Sequence, residues 1–391
     1  MNDKRRIVLR EGQMLENKEY VIYWMQHAQR VHFNHALNAA IKEANHLGLP
    51  VLVFFGLTRH YPDANLRHYR FMLEGLKEVS SILRSLHISF VIREGNIVEN
   101  LKPLLKDAAA LFTDMGYLTY ERVMRQDVLN YIDQFHPLLK YEMIDTDLIV
   151  PVMIASQKEE YGAYTIRNKI KKQVESFRDF FRIDTLKNQI PIQLESDVDI
   201  DDVDGVSSQL TTDESVKPSP IYQGGYTEAM KHFHVFVTEK INHYPESNHP
   251  GFDYTSKLSM YLHFGQISPL EIYERLLQLL EHGQIDAVSF DQFVEQLIIR
   301  RELAFNYVYY NEGYADFSKM TETWAYETME KHHDDPRDYN YGIDDYVSAN
   351  THDIYFNTAM KEMVHTGYMH NYMRMYWAKK IIEWTHSHQE A

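Results

Sequence analysis

Four short runs of β-branched and aromatic residues recur between positions 20 and 114, and stretches with helical spacing separate them. The runs lie at 20–25 (Tyr-Val-Ile-Tyr-Trp-Met), 50–56, 89–95 and 110–114. Helical periodicity fills 36–47, which closes near Gly48, then 66–86, where Tyr69, Phe71, Met72, Leu76, Val79, Ile82 and Leu83 recur three and four apart, and then 98–109. Strands alternating with helices of this length imply right-handed βαβ units and a doubly wound parallel sheet that binds ligands at the carboxyl ends of its strands. Residues 1–150 are therefore expected to form an α/β, Rossmann-like domain.

The remaining chain has a different character. Residues 156–190 read as helical and mixed in charge, with Arg167, Lys169, Lys171 and Lys172. Residues 194–220 carry Asp, Ser, Thr and Val without helical period, plus Asp204-Gly205 and Pro218-Ser219-Pro220, and are expected to be an acidic linker. The connecting region thus runs from 151 to 220. From 221 to 391 amphipathic helices are expected at 227–241, 269–282, 288–311, 322–332 and 355–386, the last broken near Gly367. A chain of 391 residues is long enough for two domains and a deeply buried cofactor.

Composition excludes several chemistries. With no cysteine, the chain can form neither a disulfide nor a thiolate nucleophile, iron–sulfur centre or cysteine-bound zinc, so redox work falls to an organic cofactor or aromatic side chains. Although there are 21 histidines, no His-Glu-x-x-His or comparable ligand set occurs, and no metal site is expected. Gly-rich phosphate loops and a Gly-x-Ser-x-Gly elbow are absent as well. No apolar run approaches the roughly eighteen residues of a membrane span, and the basic start at Lys4, Arg5 and Arg6 is not followed by a signal core, so a cytoplasmic protein with no membrane role is expected. The net charge of -16 disfavours a uniformly basic nucleic-acid binder. Binding to DNA would need a local basic face; six of the negative charges crowd into Glu195, Asp197, Asp199, Asp201, Asp202 and Asp204.

Three segments carry candidate chemistry. In 254–269 the hydroxyls of Thr255, Ser256 and Ser259, at a helix start, suit either an ordinary N-cap or an anionic pyrophosphate. In 293–306 Arg300, Arg301 and Glu302 sit within an apolar helix; such charges are either solvated or, if buried, paired or bound to a ligand. In 369–384 His370, Asn371, Arg374 and Met375 lie within a turn and a half, and several can share one face. Arg374 can hold an anion or pair with a carboxylate. Trp377 and Trp384, roughly 10 Å apart along the helix, are either core residues or a redox relay.

Taken together, these strings resemble the photolyase and cryptochrome family, most closely the class II photolyases of cyclobutane pyrimidine dimers. The resemblance runs from about Tyr20 to Thr385. It rests on Tyr23-Trp24-Met25-Gln26-x-x-Gln29-Arg30-Val31, on Thr255-Ser256-x-Leu258-Ser259-x-x-Leu262-His263-Phe264-Gly265-Gln266-Ile267-Ser268 with Met260 in place of the usual proline, on Arg300-Arg301-Glu302-Leu303-Ala304-x-Asn306, and on the Met369–Trp384 helix. It implies an antenna-type N-terminal domain, with a possible second chromophore of unknown identity, and an all-α C-terminal domain that folds FAD into a U shape. Tyr226, Thr255, Ser256, Leu258, Ser259, Gln266 and Arg374 are implied to bind FAD. Glu302, Asn371 and Met375 are implied to face the lesion, and Trp377 and Trp384 to pass electrons.

The implied function is light-dependent repair of UV-damaged DNA by a monomer, in which reduced FAD lends an electron to a flipped-out pyrimidine dimer. The alternative is a cryptochrome-like flavoprotein or nucleic-acid binder without repair activity. Three departures from the family pattern bear on the choice. Phe356 stands where the third tryptophan of the electron chain is expected, and Ser247 stands where an arginine precedes the flavin segment. The family also continues beyond the Glu383-Trp384-Thr385 helix, so a fragment or a shortened homologue is expected.

Overall fold

The computed structural model describes residues 3–13, 15, 17–59, 61–178, 182–210 and 212–391; Met1 and Asn2, and 179–181 within the expected 156–190 helical stretch, lie outside them. Six strands form one sheet: β1 (Arg6–Arg10), β2 (Tyr20–Met25), β3 (Val51–Leu57), β4 (Ser89–Glu94), β5 (Ala108–Asp114) and β6 (Lys140–Ile144). Their order is β1-β6-β5-β2-β3-β4, all neighbours parallel except the antiparallel β1–β6 pair. Helices α1 (His35–Leu47), α2 (Leu66–Ser85), α3 (Ile97–Leu105) and α4 (Thr119–Phe135) connect them. Side chains alternate across the pleat, which is why β2 is apolar throughout. Val21, Tyr23 and Met25 pack with α1 and α2, while Tyr20, Ile22 and Trp24 pack with α3 and α4.

The expected doubly wound sheet is thus present, with two strands and one helix more than periodicity revealed. β1 and β6 are interrupted by charge: Arg6 binds the buried Glu142 at 2.6 Å, and Lys140 reaches Glu142 at 3.3 Å. An ion pair between the edge strand β1 and its neighbour β6 conceals the apolar signal that marks a central strand. The helical reading of 156–190 is corrected. α5 (Val152–Ala155) precedes the stretch, and among its described residues only α6 (Ala163–Lys171) and a 3-10 turn at Val174–Phe177 are helical.

The acidic segment is not a free tether. Val198, Ile200, Val203 and Leu210 are buried in the core beneath α2, and α7 (Val203–Gln209) forms within the segment. Its carboxylates meet a basic stripe: Asp197 binds Arg93 at 2.8 Å, Asp201 binds Arg84 at 3.1 Å, and Asp204 pairs with Arg70. Three of the six clustered carboxylates are therefore locally compensated by arginines of the α/β part, while the net charge of the chain is unchanged by the pairing.

The helical part comprises α8 (Tyr226–Val235), α9 (Ser259–His263), α10 (Pro269–Glu281), α11 (Ala287–Val294), α12 (Arg301–Tyr310), α13 (Thr323–Lys331), α14 (Ile343–Val347), α15 (Ile354–Thr366) and α16 (Asn371–Trp384). α15 ends at Gly367, whose φ of 83° gives the left-handed cap expected of that glycine. Between α11 and α12 the chain widens into a π-helix over Glu295–Arg300. Insertions of this kind turn side chains out of the ordinary helical register and are frequent at functional sites.

The two parts meet tightly at Gly265, where φ is 64° and an added Cβ would lie 2.0 Å from the carbonyl oxygen of His27. Replacement by alanine combines a left-handed backbone penalty with a clash against main chain that cannot swing away. Gly265→Ala is expected to lower stability by about 2–4 kcal/mol, read from urea unfolding of the two proteins side by side.

Candidate active site

Strand order reverses between β2 and β5, and the crevice beyond their carboxyl ends is where an open α/β sheet offers a ligand site. Asp114, the last residue of β5, holds the loop that follows β2. Its two oxygens accept hydrogen bonds from the backbone N–H groups of Gln26, His27 and Ala28 at 2.9, 2.6 and 2.9 Å. This loop forms part of the wall of two cavities. A smaller one, about 290 Å³, lies above the sheet among Met25, Phe55, Tyr69, Met72 and Phe264. A larger one, about 1300 Å³, opens between the carboxyl end of the sheet and the helices. His27, Leu118, Glu121 and His263 line both, so the partition is a single layer of side chains.

The larger cavity gathers the segments that the sequence singled out. Thr255, Ser256, Leu258 and Ser259 line one side, Asn371 and Arg374 another, and Gln296, Arg300 and Arg301 a third. Thr255 shares a 2.9 Å hydrogen bond with the hydroxyl of Tyr368, and the Ser256 hydroxyl accepts weakly from the N–H of Leu258 at 3.4 Å. α9 is only five residues long, so it brings no extended helix dipole to this wall. The positive group here is Lys257, which at φ 57° places its ammonium 2.8 Å from Asp253 and 3.5 Å from the centre of the Tyr368 ring. On α16 the Arg374 guanidinium is exposed and makes one long contact, 3.3 Å to the side chain of Asn371. Its charge is available to an anionic ligand.

Several expected site residues stand elsewhere. Glu302 does not face the cavity: it is 2% exposed, and its Oε1 accepts from the N–H groups of Ile149 and Val150 at 2.7 and 3.3 Å. Residues two apart on a helix point about 200° apart, so Arg300 at the cavity directs Glu302 to the opposite side. Gln266 is likewise buried. Its amide donates to the carbonyl of Phe71 at 3.1 Å and accepts from the N–H of Gly225 at 2.7 Å, fastening α2 to the start of α8. Tyr226 donates to Glu271 at 2.6 Å and packs on His32, away from the cavity. Met375 is half exposed and outside the lining.

The tryptophans belong to an aromatic cluster beside α15. Phe356, fully buried, lies 6.2 Å from Trp377 at an interplanar angle of 15° and 5.7 Å from Trp384. Trp384 continues to His352 at 4.7 Å and Tyr341 at 6.0 Å. Phenylalanine thus occupies the middle of this series.

Four residues that motif reading left without a role stand out. Gln296, turned to the cavity by the π-segment, is an amide with no hydrogen-bond partner among the described residues. Its neighbour Glu295 is taken up by Arg167 at 2.7 Å. Arg301 donates to the backbone carbonyl of Asp147 at 2.8 Å and lies over the Phe305 ring. In the smaller cavity Gln26 and Gln29 present amide oxygens that lack partners. No period marks such residues: Gln26 and Gln29 lie on a loop, Gln296 in the π-insertion, and Arg301 opens α12 directly after it.

A mostly parallel sheet joined to helices around a cavity lined by hydroxyls, amides and an exposed arginine outlines a two-part α/β and α protein with room for a large polar ligand. Residues 21–189 match the DNA photolyase family model. The chain is 41% identical over 369 residues to the deoxyribodipyrimidine photo-lyase of Methanothermobacter thermautotrophicus, covering 94% of this chain and 78% of that relative. Among solved structures it is similar to the Synechocystis sp. cryptochrome (TM-score 0.75, 16% identity, 94% of this chain and 76% of that one). It is also similar to an archaeal photolyase from Sulfolobus tokodaii described with two FAD molecules (TM-score 0.66, 15% identity, 93% and 74%). The chain belongs to the DNA photolyase family.

Burial lifts the Glu302 carboxyl to about 8, although the two backbone donors and Arg301 oppose the shift. An acid whose folded value exceeds its unfolded one stabilises the fold below the unfolded value, and that contribution is lost as pH rises through the folded value. Glu302→Gln keeps the acceptor for Ile149 and removes the ionisation. Stability of E302Q relative to the parent is expected to rise from pH 5 to pH ~9, measured by urea unfolding across that range.

Proposed function

We propose that this protein is a deoxyribodipyrimidine photolyase that binds FAD in the larger cavity and repairs cyclobutane dimers in UV-damaged DNA under light. The observation that carries this reading is the convergence of Thr255, Ser256, Leu258 and Ser259 with Asn371 and Arg374 around one space of about 1300 Å³. The fit to FAD is chemical as well as spatial. Ser259 has a hydroxyl with no internal partner among the described residues and Lys257 adds a cation for a pyrophosphate, while Arg374 offers an exposed charge for an anionic ring system. Bound in its reduced form, FAD supplies on illumination the electron that opens the cyclobutane ring and is afterwards returned.

The protein contributes placement and electrostatics. Arg374 and Asn371 orient the ring system. Gln296 replaces Glu302 as the side chain offered to the lesion: an amide is both donor and acceptor, which suits the carbonyl and N–H edge of a pyrimidine. Arg300 and Lys171 at the cavity wall provide local positive charge for a phosphate backbone. In the same reading residues 1–150 form the antenna-type domain, 151–220 the connection and 221–391 the FAD-binding domain, in a cytoplasmic protein acting as a monomer. Among the described residues no helix is long and apolar enough to cross a membrane. The smaller cavity, with its aromatic walls and free amide oxygens of Gln26 and Gln29, is the place for a second chromophore.

The test is to purify the protein, record its visible spectrum and follow thymine-dimer loss from irradiated oligonucleotide under blue light with chemical reductant present. Yellow protein and light-dependent dimer loss are expected. A yellow protein without repair would move the assignment to the cryptochrome-like alternative. Arg374→Ala is expected to weaken FAD binding about tenfold, in line with loss of a charge-assisted hydrogen bond, as measured by equilibrium titration of apoprotein.

Phe356 is harder to oxidise than tryptophan, so the path from Trp384 to Trp377 is interrupted. Without added reductant, illumination should bleach oxidised flavin slowly in the parent. In Phe356→Trp it should bleach at least about tenfold faster, because a relay of this kind gains from each redox-active ring placed in contact.

A further inference from the structure

His27 belongs to the loop at the sheet's switch point, yet its ring reaches the cavity of the helical part. Nδ1 is engaged by the buried carboxylate of Asp147, whose other oxygen accepts from Arg30 at 3.0 Å. Tyr117 and Phe305 hold the ring edge-on, with centroids at 6.4 and 6.2 Å. Nε2 makes no hydrogen bond to another described residue. The imidazole is therefore fixed at one nitrogen and free at the other, on the boundary between both cavities.

We propose that His27 is a positioning residue for the flavin: a cationic donor from the α/β part that favours the cofactor in its reduced, more negative form. Arg374 approaches the same space from α16, so the cavity carries a cation on walls from both parts of the chain. This inference rests on the FAD reading. Flavin binding as such tests that reading, whereas the ratio of reduced to oxidised affinity tests the role of His27.

The charge state follows from its surroundings. Burial pulls the His27 ring down, but Asp147, through charge and hydrogen bond, with Glu121 and Asp114 beyond it, lifts it to about 9. The other ionisable groups near it are Arg30, Arg301, whose guanidinium is turned toward Asp147 and Phe305, Asp145 behind Tyr117, and His263. Burial holds His263 down at about 4, so it is neutral and does not compete. Asp147 stays ionised, because His27, Arg30 and Arg301 outweigh the upward push of burial.

The experiment measures dissociation constants of oxidised and of dithionite-reduced FAD for apoprotein, parent and variants, under anaerobic conditions. In His27→Gln, oxidised FAD should bind within about twofold of the parent while reduced FAD binds about tenfold more weakly, the loss of one charge-assisted contact. His27→Lys, which keeps a cation, should retain most of the parental ratio. An unchanged ratio in H27Q, or the same loss in H27K as in H27Q, would overturn the proposal. Should H27Q fail to fold by circular dichroism, the parent still decides it: its preference for reduced FAD should fall as pH rises through about 9, and a flat profile there rejects the role.

Discussion

Asp147 joins the two parts of the molecule. One carboxylate receives His27 and Arg30 from the loop after β2, and the backbone carbonyl of the same residue receives Arg301 from α12. Arg30 also donates to the carbonyl of Gly265 at 3.0 Å, within the segment that leads out of α9. A buried carboxylate is costly unless its neighbours neutralise it, and removing one partner leaves the remaining charges stranded. The requirement fixes geometry. The sheet's switch point, the loop 145–150 and α12 must arrive together, and where they do so the walls of both cavities are set.

A second constraint follows from the first. Gly265 and Gly224 lie where backbones cross so closely that a Cβ would meet a carbonyl oxygen at 2.0 and 1.9 Å. Gln266 completes the join by bonding Phe71 and Gly225. The segment 255–266 thus works at both ends: its hydroxyls face the cavity, while Gly265 and Gln266 hold the α/β part against the helices. This explains why a motif that reads as one cofactor signature divides, in space, into a binding half and a fastening half.

Legibility in the sequence followed physical simplicity. Central strands such as β2 and β3, apolar on both faces, and helices ended by Gly48 or Gly367 are governed by local rules and were readable. β1 and β6 were not, because Arg6, Lys140 and Glu142 meet as ion pairs only after β1 pairs with β6. The acidic segment looked unstructured because its stabilising partners, Arg70, Arg84 and Arg93, lie more than a hundred positions earlier. At the candidate site, Thr255, Ser256, Leu258, Ser259, Asn371 and Arg374 line one cavity. Glu302 shows the limit of motif reading: the triplet identified the right helix, but the π-turn at Glu295–Arg300 decides which side chains enter the cavity.

The same logic separates what the cofactor needs from what its electron supply needs. In the proposed reading, binding would depend on the polar rim of the larger cavity and on the charged junction at Asp147. Delivery of electrons from outside depends on an unbroken series of oxidisable rings. There Phe356 fills the space between Trp377 and Trp384 with the right shape and the wrong chemistry. A buried phenylalanine in close contact with both indoles satisfies packing fully, so nothing in stability opposes it. The packing of this cluster is therefore independent of the cavity lined by Thr255 and Arg374, so that in the proposed reading cofactor binding and electron supply can vary separately.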